Sequence, residues 1–131
     1  DKNYIDLHIH TTNSDGYFSP KEIVEMASKN DTSLIAISDH DSICGLPEFK
    51  ENLKFGMHGI AGVEFSSYIM LNNKKIKLHI LGYGFDENNI KMLNLLQEMK
   101  EKRVAAHIKL LNFAKMKLLN LPEDSLSRIN M

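Results

Sequence analysis

Two histidines, His8 and His10, lie two residues apart in a segment where apolar and polar residues alternate. The alternation over residues 4–10 is typical of a β-strand, so both imidazoles leave the same face. Their backbones are then about 6 to 7 Å apart, and two imidazoles at that spacing can converge on one divalent cation. Two histidines on a half-exposed strand give the same pattern, which alone does not decide between the interpretations.

Further imidazoles and carboxylates occur at four other places, three of them at or near the ends of predicted strands: Asp15, His40, Glu64 and His79. Histidine and carboxylate ligands from separate strands suit Zn, Mn or Fe better than Ca, which prefers oxygen ligands alone. Six candidate ligands exceed what one tetrahedral ion needs, so we expect two or more metal ions. Glu64 is the natural bridging carboxylate.

The elements that must position these residues follow the order strand, helix, strand, helix, strand. The predicted strands cover residues 4–10, 34–37 and 59–63, and the predicted helices cover residues 20–30 and 47–53. This order is typical of an α/β fold with parallel strands. The three strands end in His-Ile-His, Ser-Asp-His and Val-Glu, and the carboxyl ends of strands are where such folds bind ligands.

The first helix has a full set of start signals. Ser19 is the expected N-cap, Pro20 occupies the first helical position and Glu22 closes a capping box.

The remaining elements follow from periodicity. Residues 67–71 and 76–81 flank the polar segment 72–75 and predict a hairpin. A helical pattern runs from residue 90 to about residue 119, and we interpret its charged stretch 100–103 as a solvated face. Residues 121–124 indicate another helix start.

Composition narrows the class of protein. Of 131 residues, 43% are hydrophobic and 25% are charged, as in a globular, soluble domain. The net charge of −1 argues against nucleic-acid binding by bulk charge. Cys44 is the single cysteine and fits a reducing compartment. The first residues do not show the pattern of a signal peptide, and no apolar run approaches the roughly 18 residues that a membrane helix needs. We therefore expect a cytoplasmic protein without a membrane partner.

Four ordered motifs resemble those of the PHP (polymerase and histidinol phosphatase) family: residues 6–10 with 14–16, then 38–41, 62–64 and 78–83. The family usually has threonine where this chain has Ser38. The last motif is most similar to the TrpH-type branch. The resemblance runs from about residue 6 to residue 86, and the helical segment after it is also typical of that branch.

The resemblance implies a distorted, TIM-like β/α barrel with a trinuclear metal site. His8 and His10 would bind the first ion with Glu64. Glu64 would bridge to a second ion held by His79, whereas Asp15 and His40 would hold a third. The expected ions are two or three of Mn, Zn or Fe.

Two further aspartates would lie beside the ligands. Asp39 is expected to fix a neighbouring ligand rather than to bind metal itself. Asp41 would do the same or would cap the following helix.

Residues 1–86 would form the N-terminal portion of the barrel, and residues 87–131 would form a helical insertion. The family completes its metal sites with a later histidine and an Asp-x-His pair near the C-terminus. After His79 the only histidine of this sequence is His107, in the middle of the predicted helix, and no Asp-x-His pair follows. We therefore expect a fragment with partial metal sites, and an open sheet edge that favours a homodimer.

The activity implied is that of a metal-dependent phosphoesterase that uses a metal-activated water, so no catalytic side chain is assigned. TrpH-type relatives act on nucleoside bisphosphates or short RNA ends, which makes a small phosphorylated nucleotide the expected substrate. Arg103 and His107 lie one helical turn apart and could contact a phosphate. A solvated arginine and a partly buried histidine are the alternative.

Other functions remain open from the sequence. An accessory or regulatory PHP domain would bind metal without turnover. A histidinol-phosphatase-like enzyme would use a different phosphate ester, and hydrolysis of a C–N bond could use the same ligand set.

Overall fold

The computed structural model describes residues 4–117, and the chain divides into two compact units between Glu87 and Asn88. The first unit contains β1 (Tyr4–Ile9), α1 (Pro20–Lys29), β2 (Thr32–Ile37), α2 (Leu46–Asn52), β3 (His58–Leu71) and β4 (Lys74–Tyr83). The second unit contains α3 (Ile90–Lys117). The helix start predicted at residues 121–124 lies outside the described residues.

The four strands form one sheet in the order β1-β2-β3-β4. β1 pairs with β2 and β2 pairs with β3 in parallel, whereas β3 and β4 are antiparallel. The predicted α/β class, with parallel strands connected by helices, is confirmed. The homodimer expected at an open edge stays a prediction.

The core of the first unit lies between the sheet and the helices α1 and α2. Because β2 is a central strand, its apolar residues are buried on both faces, and helix residues pack against them. The core cluster consists of Ile23, Val24, Ile35, Ile37, Leu46, Phe49 and Ala61.

The start of α1 follows the sequence prediction. Ser19 is the N-cap, its side chain accepts a hydrogen bond from the Glu22 amide, and the Glu22 carboxylate accepts one from the Ser19 amide at 2.8 Å. Pro20 is the first helical residue. The complete capping box satisfies two backbone donors that the first turn leaves without helical partners.

The separate strands predicted at 59–63 and 67–71 are wrong, because β3 is one continuous strand. β3 changes its partners along its length: His58–Ala61 pair with β2, and Gly62–Leu71 pair with β4. The polar residues after Val63 therefore lie within β3, just beyond the point where its partner changes from β2 to β4, and they do not form a turn. The connection to β4 is also shorter than predicted, since only Asn72 and Asn73 form it, both at positive φ as in a type I′ hairpin.

The long helix predicted from residue 90 is confirmed, and α3 continues without a break through the charged stretch 100–103. All four residues of this stretch are exposed, which supports a solvated face. Among the described residues, no helix is both long and apolar enough to cross a membrane.

Substitution of the buried Phe49 tests the core. Phe49→Ala should lower the free energy of unfolding by about 3 to 5 kcal/mol, because it removes the largest fully buried side chain and leaves a cavity. Urea unfolding followed by circular dichroism measures the change. Phe55→Ala is the matched control, since Phe55 is fully exposed and its loss should be close to neutral. Equal destabilisation by both substitutions would contradict this core.

Candidate metal centre

Six side chains of the first unit lie close together: His8, His10, Asp15, His40, Glu64 and His79. They come from β1, from the loops after β1 and β2, and from β3 and β4. Their imidazoles follow one another in chain order, with ring centroids separated by 5.2, 4.5 and 4.8 Å. The structure thus brings together every residue that the sequence named as a candidate ligand.

Glu64 is the centre of this cluster. It is only 5% exposed, and its Oε2 lies 2.9 Å from His8 Nε2 and 2.8 Å from His10 Nε2. Its Oε1 lies 2.9 Å from His79 Nδ1. Burial acts to raise the pKa of the Glu64 carboxyl, but the surrounding imidazoles outweigh it and hold that pKa below its usual range.

The second carboxylate of the cluster is Asp15, at its exposed edge. Its Oδ1 lies 2.7 Å from His10 Nδ1, and its Oδ2 lies 3.8 Å from His40 Nε2. The hydrogen bond with His10 is the main cause that lowers the pKa of the Asp15 carboxyl. Burial alone would lower the pKa of His10, but its contacts with Asp15 and Glu64 outweigh burial and raise it.

Backbone pairing beyond the end of β2 places His40 beside Glu64. The Glu64 amide donates to the Asp39 carbonyl at 3.1 Å, and the Asp41 amide donates to the Glu64 carbonyl at 2.9 Å. These bonds form an isolated parallel bridge between His40 and Glu64. The parallel pairing beside β3 thus resumes at two of the candidate ligands, after the regular part of β2 has ended.

Asp39 is buried and fixes the loop that connects His10 to Asp15. Its Oδ1 accepts hydrogen bonds from the Thr11 amide and the Ser14 hydroxyl, each at 2.6 Å, and its Oδ2 accepts one from the Thr11 hydroxyl at 2.7 Å. Asp39 therefore contacts the segment that carries two candidate ligands, rather than a candidate ligand itself.

The same loop requires glycine at position 16. The Gly16 amide donates to the Thr11 carbonyl at 2.9 Å, which folds the loop back onto β1. A β-carbon at this position would lie 2.3 Å from the His10 carbonyl oxygen. Only glycine permits so close an approach of the two backbones.

Asp41 stabilises β3. Its Oδ1 accepts a hydrogen bond from the Ser66 amide at 2.7 Å, two residues beyond Glu64. The alternative role predicted for Asp41, capping of the following helix, is wrong: Gly45 is the N-cap of α2, and no side chain caps that helix.

Tyr83 makes a contact that sequence reasoning missed. Its hydroxyl donates to the Leu7 carbonyl at 2.6 Å and so connects the end of β4 to β1. The pairing of β1 with β2 is irregular between Asp6 and Ile9, which includes Leu7. Tyr83 also packs over Gly62, where a β-carbon would lie 3.3 Å from its ring. Tyr83 belongs to the last family-like motif, but no periodicity connects it with a residue 76 positions away.

The donor set fits divalent cations. Three groups each place three donor atoms within 4.8 Å of one another: His8, His10 and Glu64; His10, Asp15 and His40; and His40, Glu64 and His79. His40 Nδ1 is buried without a hydrogen-bond partner, because the nearest Glu64 oxygen, at 3.6 Å, is too distant for one. A buried imidazole nitrogen that faces carboxylate and histidine donors is suited to metal ligation.

Arg103 and His107 lie on α3, in the second unit, and both are exposed. The partly buried environment considered for His107 is therefore wrong. Contact of either residue with a phosphate stays a prediction.

Comparison with known proteins gives a consistent set of relatives. The model of the PHP domain matches residues 6–123. A 5′-3′ exoribonuclease of Haemophilus influenzae is 40% identical over 99 residues, which cover 75% of this chain and 35% of the relative. A 3′,5′-nucleoside bisphosphate phosphatase of Chromobacterium violaceum is 32% identical over 76% of this chain and 34% of its own length. The chain thus spans about a third of the curated relatives that it matches.

Solved structures show the same fold. A protein from Bifidobacterium adolescentis classed as a metal-dependent phosphoesterase superposes with a TM-score of 0.82 at 23% identity, over 98% of this chain and 44% of that chain. An amidohydrolase from Chromobacterium violaceum with bound sulfate gives 0.78 at 27% identity, over 95% of this chain and 43% of that chain. The predicted fold, a portion of a distorted β/α barrel, is confirmed.

The pKa shifts predict how stability depends on pH when metal is withheld with EDTA. His10 has a raised pKa in the folded state, so its contribution is complete below its unfolded pKa and is lost as pH rises through the folded value. Asp15 and Glu64 have lowered pKa values, so their contributions are lost as pH falls through the folded values. Stability from these groups should therefore peak between about pH 4.5 and 6.5.

Urea midpoints measured across this range test the expectation. His10→Gln is the informative variant, because it should remove most of the decline on the alkaline side. A urea midpoint that rises steadily from pH 5 to pH 8 in the unsubstituted chain would contradict the expected dependence of stability on pH.

Tyr83→Phe tests the connection between β1 and β4. Removing the hydroxyl leaves the ring over Gly62 but frees the Leu7 carbonyl, so β1 should no longer be held at the irregular stretch that carries His8. We expect the apparent affinity for Mn²⁺ to fall about three- to tenfold, consistent with loss of one hydrogen bond of about 1 kcal/mol. Calorimetric titration measures it. Tyr17→Phe, at an exposed position, is the control, and equal affinities in all three proteins would contradict the role of Tyr83.

Proposed function

The chain belongs to the PHP domain family, and from this premise we propose that it supplies the metal-binding part of a hydrolase that cleaves a phosphate ester of a small nucleotide or a short RNA end. The observation that carries the proposal is the position of Glu64. One of its oxygens faces His8 and His10 and the other faces His79. A carboxylate used in this way is suited to bridging two cations.

The candidate ligands divide between the proposed ions as follows. His8, His10 and Glu64 would hold one ion, and Glu64 with His79 would hold a second. Asp15 and His40 would hold a third. Mn, Zn and Fe all suit this mixture of imidazole and carboxylate donors.

Charge explains why such a site favours a phosphoryl substrate. Divalent cations bound there would lower the pKa of a water and offset the charge on phosphate oxygens. The six ligands contribute only two carboxylates, so two or three dications leave the site positive. The Asp15 side chain is 68% exposed and that of His79 is 50% exposed, which leaves the cluster accessible from the solvent side.

The chain's own residues keep this arrangement in place. Asp39 holds the loop between His10 and Asp15, and the backbone bridge between His40 and Glu64 keeps those two side chains adjacent. The chain therefore contributes orientation and negative charge at fixed positions, which is what a metal-assisted displacement requires of a protein.

Hydrolysis of a C–N bond is a second candidate. It is favoured by one observation, the similarity to a solved structure described as an amidohydrolase. The same cations could polarise a carbonyl oxygen.

Metal binding followed by hydrolysis tests the proposal. The EDTA-treated chain is titrated with Mn²⁺ and Zn²⁺, and release of phosphate from adenosine 3′,5′-bisphosphate is then followed. We expect uptake of two or more ions per chain and release of phosphate. His8→Ala with His10→Ala should lower the stoichiometry by at least one ion and abolish phosphate release.

His58→Ala is the matched control, since His58 lies exposed at the start of β3 and outside the cluster. Stoichiometric metal binding with hydrolysis of N-acetylated amino acids and no release of phosphate would replace phosphoesterase by amidohydrolase. Unchanged metal uptake in the double variant would refute the assignment of the ligands.

A further inference from the structure

Beyond Ala61, and apart from the bridge between His40 and Glu64, the strands β3 and β4 have only each other as sheet partners among the described residues. Residues 64–71 and 74–81 thus form a two-stranded extension of the sheet, here called the ribbon. It starts at the metal cluster, because Glu64 and His79 lie at its base, and it ends at the turn Asn72–Asn73. Most of its side chains are exposed.

The two faces of the ribbon differ in chemistry. The pairing is regular throughout, so side chains alternate strictly between the faces. The face that carries Glu64 and His79, here called the ligand face, also has Leu81 at its base and continues with Ser66, Tyr68, Met70, Lys75 and Lys77. The opposite face carries Phe65, Ser67, Ile69, Leu71, Lys74, Ile76, Leu78 and Ile80.

Two cations lie on the ligand face at regular distances from the metal cluster. Lys77 is two residues from His79 and Lys75 is four, which corresponds to about 7 and 14 Å along the strand. Among the described residues, no carboxylate lies within ion-pair distance of either lysine. Their charge is therefore available to an external anion.

An aromatic ring neighbours both lysines on the ligand face. Tyr68 is directly opposite Lys77 in the pairing, and the Lys75 ammonium lies 3.9 Å from the centroid of its ring. The tyrosine remains 55% exposed. The ligand face thus combines an aromatic ring, one side of which is in contact with Lys75, with two lysines that have no carboxylate partner among the described residues. The opposite face combines a single lysine with mainly apolar side chains.

We propose that the ligand face of the ribbon binds single-stranded RNA, with Lys75 and Lys77 on successive backbone phosphates and Tyr68 stacked on a base. This inference rests on the proposed function, because it extends the substrate outward from the ester at the metal cluster. Lysine contacts to phosphates and stacking on an aromatic ring are the usual means of binding single strands without sequence readout. The ribbon would then extend the substrates of the site from mononucleotides to oligonucleotides.

The arrangement favours this occupant over other anionic partners. An acidic peptide would use the lysines but has no flat base to stack on Tyr68. An anionic membrane would engage the aliphatic residues and Lys74 on the opposite face. The low net charge of −1 for the whole chain is compatible with binding at a local patch.

The test measures binding to the EDTA-treated full chain, so that turnover plays no part. The probe is a ten-nucleotide single-stranded RNA with a 3′-fluorescein label, and fluorescence anisotropy is recorded at several salt concentrations. Lys75→Gln with Lys77→Gln should lower the affinity at least about tenfold and reduce the slope of log K against log salt by about 1.4, since each phosphate contact to a single strand contributes about 0.7.

Two matched controls distinguish RNA binding at the ligand face from non-specific electrostatic attraction. Lys74→Gln removes a lysine from the same hairpin but from the opposite face, and it should change the affinity less than about twofold. Tyr68→Ala should lower the affinity about fivefold or more through loss of stacking, whereas Tyr68→Phe should keep it. All substituted positions are exposed, and circular dichroism checks that each variant folds.

Three results would overturn the proposal. Lys74→Gln could weaken binding as much as the double substitution, which would mean non-specific charge. A ten-residue polyglutamate peptide could compete as well as RNA, which would indicate a protein partner. Vesicles with anionic lipid could capture the chain in a manner that depends on Lys74, which would indicate a membrane surface.

Failure of this proposal can be distinguished from failure of the proposed function. RNA binding that depends on the ligand-face residues, without release of phosphate, would support the RNA-binding surface and reject the phosphoesterase activity. Release of phosphate from adenosine 3′,5′-bisphosphate, without RNA binding that depends on the ligand-face residues, would reject RNA binding by the ribbon and support the phosphoesterase activity.

Discussion

The first unit depends on one nearly buried carboxylate. Glu64 loses most of its contact with water, and a carboxylate in that position is costly unless polar partners surround it. Its partners come from elements far apart in the sequence: His8 and His10 at one side and His79 at the other. The contacts on the two sides hold β1 and β4, respectively, toward β3. The atoms that the proposed metal ions would bind therefore also constrain how β1, β3 and β4 approach one another.

Features encoded in short segments were predictable from sequence. Alternation around His8 and His10 gave the strand and the shared face, and the residues from Ser19 to Glu22 gave the helix start because capping is a local hydrogen-bond pattern. The grouping of polar residues at strand ends predicted that the six candidate ligands would meet. That inference needed only the rule that parallel strands present their carboxyl ends at one edge of the sheet.

Features that depend on partners distant in sequence were not predictable. β3 was predicted as two strands because the polar residues after Val63 resemble a turn when its change of partner from β2 to β4 is unknown. The hydrogen bond from Tyr83 to Leu7 joins residues whose proximity follows only from the curl of the sheet. Asp39 was expected beside a ligand, but its three hydrogen bonds go to the loop instead, because Thr11 and Ser14 present unpaired donors at the end of β1.

The continuous pairing of β3 with β4 limits which insertions and deletions the chain can accept during evolution. Loss of a single residue between His79 and Lys77 would move both lysines to the aliphatic face, because side chains alternate with a period of two. Removal of one cross-strand pair would exchange the faces in the same way, whereas removal of two consecutive pairs, four residues in all, would preserve them. Length variation between His79 and Lys75 that keeps both lysines on the ligand face should therefore come in blocks of four residues, two from each strand.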